Sequence, residues 1–248
     1  MRSFFHSSNP VLKAKRTEAE GEVSCTYFGV GTKTLILFLV AVATALVSGL
    51  HFYRSGITTG GYLALGISAI VSLVACIVAT LSHRLAGIFS VIYAIGEGVL
   101  LGFTSMATGV AIGGNVVFMA LLGTFGVLFA AIILYFSGAV RVTSAFRKIG
   151  MLALIGILFS GLISLVLLIF APAFFAGLPV WWFLLANIIS VIVSSMMIFM
   201  DLDDISRAVD GGAPAKYEWR LAVGLMVSVV WLYVELLELF ARIFGNRD

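Results

Sequence analysis

The sequence contains seven apolar runs of about twenty residues, and short polar breaks separate them. Backbone that meets lipid must satisfy its own hydrogen bonds, and a helix of about 20 residues does so while crossing the ~30 Å hydrocarbon core. The expected spanning helices are approximately Thr34–Tyr53, Gly61–Leu81, Gly87–Thr108, Asn115–Ser137, Met151–Ala171, Val180–Met200 and Leu221–Phe244. The pattern therefore predicts an all-α integral membrane protein built as a seven-transmembrane-helix bundle.

The composition excludes a water-soluble fold. Of the 248 residues, 61% are hydrophobic and 11% are charged, whereas soluble proteins carry about 25% charged residues. The net charge of +3 is not a nucleic-acid footprint, because the basic residues lie in loops and tails rather than on one face. We therefore expect the lipid bilayer as the surroundings of this chain and no nucleic acid as a partner.

The distribution of basic residues predicts the orientation. Twelve of the 15 Lys and Arg residues fall in the N-terminal tail and in the second, fourth and sixth loops. The positive-inside rule places that side in the cytoplasm. We accordingly expect a polar cytoplasmic tail over residues 1–33, a transmembrane domain over 34–244 and a short tail over 245–248.

Acidic residues within the apolar runs are the candidate functional groups. A charged side chain at the centre of a membrane helix costs at least about 2.5 kcal/mol, so such residues usually serve a function. Glu97 and Glu235 lie within spans and Asp201 lies at the end of the sixth. Asp203 and Asp204 extend that group as secondary candidates for a cation path. Carboxyl groups held close together share protons and titrate as a pair, which is a way to sense pH.

Structural roles compete with functional ones at each acid. Glu238 precedes Arg242 by four residues, which is the spacing of a stabilising ion pair on a helix. Asp203 and Asp204 could be solvated at a helix end. A protonated Glu97 or Glu235 could hydrogen-bond to a neighbouring backbone.

The sequence offers little for catalysis or for a bound cofactor. Two of the three histidines, His6 and His83, lie outside the spans, and His51 lies at the end of the first, which leaves an intramembrane nucleophile without a base. An EF-hand would need glycine where Ser206 stands. No zinc constellation or phosphate-binding loop occurs, and we expect neither enzyme activity nor a cofactor.

Gly98 and Gly102 have the four-residue spacing that lets two membrane helices approach closely.

Several segments resemble the Bax inhibitor-1 family, also called the transmembrane Bax inhibitor motif family, and its bacterial YccA-like branch in particular. The most specific are DLDDI at 201–205, GGAPAKYEW at 211–219 and VWLYVELLELF at 230–240. Supporting segments are SNP at 8–10, IYAIGEG at 92–98 and GAVRVT at 138–143. Together they extend over nearly the whole chain.

The resemblance implies a bundle with the last helix at its centre and a pH-sensitive calcium leak. It also implies a proton-sharing pair between an acid at the end of the sixth helix, here Asp201, and one in the seventh, here Glu235. The second acid of the family is usually Asp, and 34 residues separate the two positions in this chain. Depth along the helices favours a different pair, Glu97 with Glu235, because we expect both near the middle of the membrane.

Three functions follow as hypotheses. The first is a pH-sensitive cation (calcium) leak channel or channel-like regulator, with calcium ions and protons as its ligands. The second is a non-conducting interaction protein with a membrane-protein partner, for example a modulator of a membrane protease. The third is a proton-coupled transporter, in which the same carboxyl groups would carry protons.

Overall fold

A computed structural model describes residues 23–245 except 57, 83 and 172. Its long helices are α1 (Tyr27–Ser55), α2 (Thr59–Leu81), α3 (Ala86–Ala111), α4 (Gly114–Phe136), α5 (Ser144–Phe170), α6 (Val180–Asp210) and α7 (Glu218–Gly245). All seven are long and apolar enough to cross a membrane. The chain is thus an all-helical, multi-pass membrane protein, as its hydropathy predicted. The SNP segment at 8–10, His6, His83 and residues 246–248 lie outside the described residues.

Most helices extend beyond the apolar runs that predicted them. α1 begins seven residues before Thr34, α5 begins seven before Met151, and α6 continues ten residues past Met200. Threonine side chains just before α1, α2 and α5 accept hydrogen bonds from the first turn of each helix, which stabilises these starts. Hydropathy marks the part of a helix that lipid covers, whereas hydrogen bonding and caps decide where the helix ends.

The last helix lies at the centre of the bundle, as the family resemblance implied. α7 packs against α1, α2, α3, α4 and α6, and more than half of its most apolar segment is buried. α5 is the opposite case, because it packs mainly against α6 and none of its most apolar segment is buried. The bundle therefore consists of α7, a surrounding layer of five helices, and one peripheral helix.

Close backbone contact joins α1 to α3. A Cβ atom added to Gly98 would lie 2.6 Å from the carbonyl oxygen of Ala41 and would overlap the Thr44 hydroxyl. A Cβ atom at Gly102 would likewise overlap Ala45 and Ser48. Small residues at these positions are required, because apolar side chains gain little by leaving lipid and membrane helices depend on close packing instead.

Gly98→Leu is therefore expected to destabilise the bundle by about 1–3 kcal/mol or more, since the added side chain meets the α1 backbone, which cannot move without the whole helix. The measurement is thermal unfolding of the purified protein in detergent, together with the yield of monodisperse protein. Gly66→Leu is the matched control, because a Cβ at Gly66 meets nothing within 4 Å. Equal unfolding temperatures for the two variants would show that Gly98 is not at a tight helix contact.

Candidate functional site: a polar seam between α6 and α7

Polar side chains follow one face of α6 along much of its length; Asn187, Ser190 and Ser194 are buried and Asp201 is half-buried. Asn187, Ser190, Ser194 and Asp201 recur at intervals of three, four and seven residues, a spacing that places them on the same side of a helix. This face packs against α7, which presents Ser228 and Glu235 to it. We call this row of polar groups between the two helices the polar seam.

Asp201 lies towards one end of the seam, where α7 presents its smallest side chains. The Ser228 hydroxyl donates a hydrogen bond to the Asp201 carboxylate, and a Cβ added to Gly224 would lie 3.5 Å from the same carboxylate. Gly224 and Ser228 are one helical turn apart, so together they form a recess on α7 that accommodates the Asp201 side chain. Within the described residues Asp201 makes no ion pair, which leaves its charge sensitive to protons and cations.

Glu235 belongs to a separate network at the other end of the seam. Asn187 Nδ2 donates to Glu235 at 2.9 Å and to Glu238 at 3.2 Å, and the Trp231 indole N–H donates to Glu235 at 2.9 Å. Arg242 donates to the Asn187 amide oxygen at 2.7 Å and forms an ion pair with Glu238 at 3.2 Å. The predicted Glu238–Arg242 pair is present, and Asn187, only 5% exposed, joins the two acids to the arginine.

An apolar step divides the seam between these two ends. Met197 and Ile198 occupy the α6 turn between Ser194 and Asp201, and Ile198 is fully buried. From Asp201 to Ser194 the helix rises about 10 Å. Apolar side chains therefore separate the polar groups at the two ends of the seam.

Asp203 and Asp204 both pair with a cation, and Asp203 is buried while Asp204 stays exposed. Arg147, near the start of α5, pairs with Asp203 and with Asp204, each at 2.7 Å. Arg207 also pairs with Asp203 at 2.8 Å, and the Tyr135 hydroxyl donates to Asp203 at 3.2 Å. Solvation at a helix end is therefore wrong for Asp203, which is 8% exposed, because α6 continues past it and α5 brings a cation over it.

A second ion pair closes the same end of the bundle. Glu218, the first residue of α7, is 4% exposed and pairs with Lys33 of α1. Its carboxylate also accepts from the Thr26 backbone N–H at 2.9 Å. The segment before α1 is fastened to the loop before α7 by backbone hydrogen bonds, including one from Cys25 to Ala213 at 2.7 Å. Glu218 thus fixes the start of the central helix to the first helix.

Glu97 lies apart from the polar seam. It is partly buried on α3, and the Cys76 thiol of α2 and the Tyr93 hydroxyl lie close enough to feel its charge. No hydrogen bond to its carboxyl group is present within the described residues. The neighbouring Ser72 hydroxyl, which points at Gly96, is buried and also lacks a partner there. Glu97 therefore belongs to the contact between α2 and α3.

The structure does not bring Glu235 together with either acid that the sequence proposed for it. The α7 residue facing Asp201 is Ser228, and Glu235 stands seven residues, about 10 Å, further along the helix. On α3, Glu97 comes eight residues before Ser105, and the Ser105 hydroxyl hydrogen-bonds to Tyr233 at 2.7 Å. Tyr233 in turn comes two residues before Glu235 on α7, which runs in the same direction across the membrane as α3. Glu97 and Glu235 consequently differ in depth by about 15 Å. Within the described chain, no hydrogen bond joins any two of these three carboxyl groups.

Several residues of the seam escaped the sequence analysis. Asn187 was the one strongly polar side chain in the sixth apolar run, and that exception could have identified it. The serines of α6 share the three- and four-residue spacing of one helix face, which was also readable. Ser228 carried no such signal, because a single serine in a membrane helix often hydrogen-bonds only to its own backbone.

Comparison with known proteins agrees with this architecture. The profile of the family described as Bax inhibitor 1 like matches residues 9–245, which includes every spanning helix and all the acids discussed above. No curated protein matches the chain. Because the match extends over nearly the whole sequence, the chain belongs to the Bax inhibitor 1 like family.

Proposed function

We propose that this protein is a pH-sensitive cation (calcium) leak channel, or a channel-like regulator, and that its path is the polar seam between α6 and α7. The observation that carries the proposal is the row of buried and half-buried polar side chains from Asn187 to Asp201 on the face of α6 that meets the central helix. Polar groups inside a membrane bundle are costly, and they characteristically mark ion or proton pathways.

Asp201 is the acid best suited to control this path. Its carboxylate has one hydrogen-bond donor, Ser228, and no cation paired with it among the described residues. Carboxylate oxygens are ligands that calcium prefers, and protonation removes the charge that attracts it. Glu235, which accepts hydrogen bonds from Asn187 and Trp231, is the second carboxyl group along the proposed path. Glu97 lies apart from the seam and remains a candidate only because it is a half-buried acid within a spanning helix.

The ion pairs near Asp201 stabilise the closed arrangement of the proposed path. Arg147 holds α5 to α6 through Asp203 and Asp204, one turn from Asp201. The apolar step at Met197 and Ile198 seals the seam just beyond. Opening requires α6 to shift relative to α7, so that water replaces these apolar contacts. A change of charge on Asp201 biases that shift, because a charged carboxylate is more stable beside water.

A non-conducting interaction protein is the second candidate, and the exposed helix α5 favours it. α5 leaves large side chains such as Leu152, Phe159 and Ile169 uncovered by the rest of the chain, a face that lipid or another membrane protein would cover. From the segments quoted above we also propose that the protein is closest in kind to the bacterial YccA-like branch and lies in a bacterial inner (plasma) membrane. A proton-coupled transporter would use the same carboxyl groups and would need a proton gradient to move its cation.

Asp201→Asn is expected to abolish the pH dependence of passive calcium flux, because the amide keeps the shape of the carboxyl group but cannot titrate. The measurement is calcium entry into liposomes that contain the purified protein and a calcium-sensitive dye, over a range of pH. Ser228→Ala keeps the carboxyl group and is expected to move the midpoint of the pH profile without abolishing it.

Glu235→Gln and Glu97→Gln are the matched comparisons, since each removes one other acid in the same way. Loss of pH dependence in one of them, with Asp201→Asn unchanged, would place the pH sensor elsewhere. Flux only under a proton gradient would favour the transporter. Absence of flux in the folded wild type would favour the interaction protein.

The orientation follows from the basic residues, and we propose that the end carrying Glu218 and Arg147 faces the cytoplasm. The native cysteines are poorly suited to a labelling test of this orientation. Cys25 is 2% exposed, and its burial, followed by the nearby Glu218 carboxylate, raises the pKa of its thiol. Less thiolate is therefore present at neutral pH, and the thiolate is the form that reacts with a maleimide.

Introduced cysteines at exposed positions are expected to resolve the orientation. In a variant lacking Cys25 and Cys76, Ala139→Cys, in the loop between α4 and α5, should resist a membrane-impermeant maleimide in intact cells and react after permeabilisation. Ser55→Cys, at the opposite end of the bundle, should react in both conditions. The reverse pattern would invert the topology.

A further inference from the structure

A long apolar crevice runs between α1, α3, α4 and α7, on the side of the bundle away from the polar seam. It encloses about 550 Å³, within the range of about 300–1,000 Å³ typical of ligand pockets. Its lining on α1 extends from Phe38 to Tyr53, a rise of about 22 Å. Val42, Leu46 and Leu121 line it and are partly exposed on the outer surface of the bundle, so the crevice opens towards lipid.

The lining offers an occupant almost no polar groups to bind. Its hydroxyl-bearing residues are Tyr53, Ser105, Thr124 and Tyr233. Ser105 and Tyr233 hydrogen-bond to each other at 2.7 Å, and Thr124 donates to the Ala120 carbonyl of its own helix at 2.7 Å. The crevice is thus long, narrow and apolar, and the hydrocarbon core of one leaflet is about 15 Å deep. These dimensions fit a single acyl chain lying along the helices better than a compact polar ligand.

A positively charged residue follows directly after Tyr53, the lining residue at one end of the crevice. Arg54 follows Tyr53 in the last turn of α1 and is exposed. Within the described residues no carboxylate pairs with it. A guanidinium group at the membrane surface is well suited to bind phosphate through charge-assisted hydrogen bonds.

We propose that the crevice is a binding site for one phospholipid of the leaflet at the Ser55 end of α1. One acyl chain fills the space between α1, α3 and α4, and the phosphate binds Arg54. The bound lipid replaces contacts that the protein itself does not make, because without it the crevice walls lose packing partners. The site is independent of the polar seam, so it stands whether or not the protein conducts.

The test counts lipids that remain bound to the full-length protein. The protein is reconstituted into vesicles of phosphatidylethanolamine and phosphatidylglycerol, extracted into mild detergent, and analysed by native mass spectrometry. Wild type is expected to retain one phospholipid per chain. Gly109→Leu, which puts a side chain into the crevice where a Cβ meets only ordinary contacts at 3.6 and 3.9 Å, is expected to retain about tenfold less, through lost packing.

Gly126→Leu is the matched control, because a Cβ there meets nothing within 4 Å and Gly126 lies outside the crevice. It should retain lipid like wild type. Leu121→Trp and its neighbour Leu122→Trp form a second pair, in which Leu121 alone lines the crevice. This pair decides the question if Gly109→Leu does not fold. Equal retention within both pairs, a lipid-free wild type, or a detergent molecule in place of the lipid would overturn the site.

Arg54→Gln tests the headgroup contact, with Arg84→Gln at the opposite end of the bundle as its control. We expect Arg54→Gln to retain several-fold less phospholipid than wild type and Arg84→Gln to retain as much. Unchanged retention in Arg54→Gln would overturn the assignment of the phosphate to Arg54.

Discussion

The bundle depends on contacts that the hydrophobic effect does not supply. Apolar side chains are as well accommodated in lipid as between helices, so spanning helices associate through close packing and polar contacts. Here Gly98 and Gly102 let α3 approach the backbone of α1. Glu218 and Lys33 fasten the start of α7 to α1. The central position of α7 rests on contacts of these two kinds.

The same constraint explains where the candidate function lies. A buried polar group is tolerated when it has partners. α7 supplies them to Asp201 and Asn187, whereas Ser194 bonds to a carbonyl of its own helix. The seam is weakest at Asp201, whose single hydrogen bond leaves its charge without a cation. Apolar packing at Ile198 lies on one side of it, and on the other side the ion pairs of Arg147 join α5 to α6.

Sequence reasoning identified the acids but not their partners. Asp201, Glu235 and Glu97 stood out because each interrupts or ends an apolar run. The Asp201–Glu235 pairing was inferred from the family resemblance and the Glu97–Glu235 pairing from depth, and only the second depended on the limits of the apolar runs. α7 begins at Glu218 rather than at Leu221, so Glu235 lies farther along its helix than the apolar run indicated. Which side chains meet depends on helix rotation and tilt, and hydropathy records neither.

The sequence by itself determined the number of spans, the helical class, the family and the side of the bundle that carries most basic residues. These follow from local quantities, because each membrane helix satisfies its own backbone hydrogen bonds. The tertiary structure decided that Ser228 meets Asp201, that Asn187 joins Glu235 to Arg242, and that α5 stands at the periphery. Those outcomes depend on how residues far apart in the chain pack together, because close approach and polar pairing, rather than hydropathy, select the neighbours of a helix in lipid.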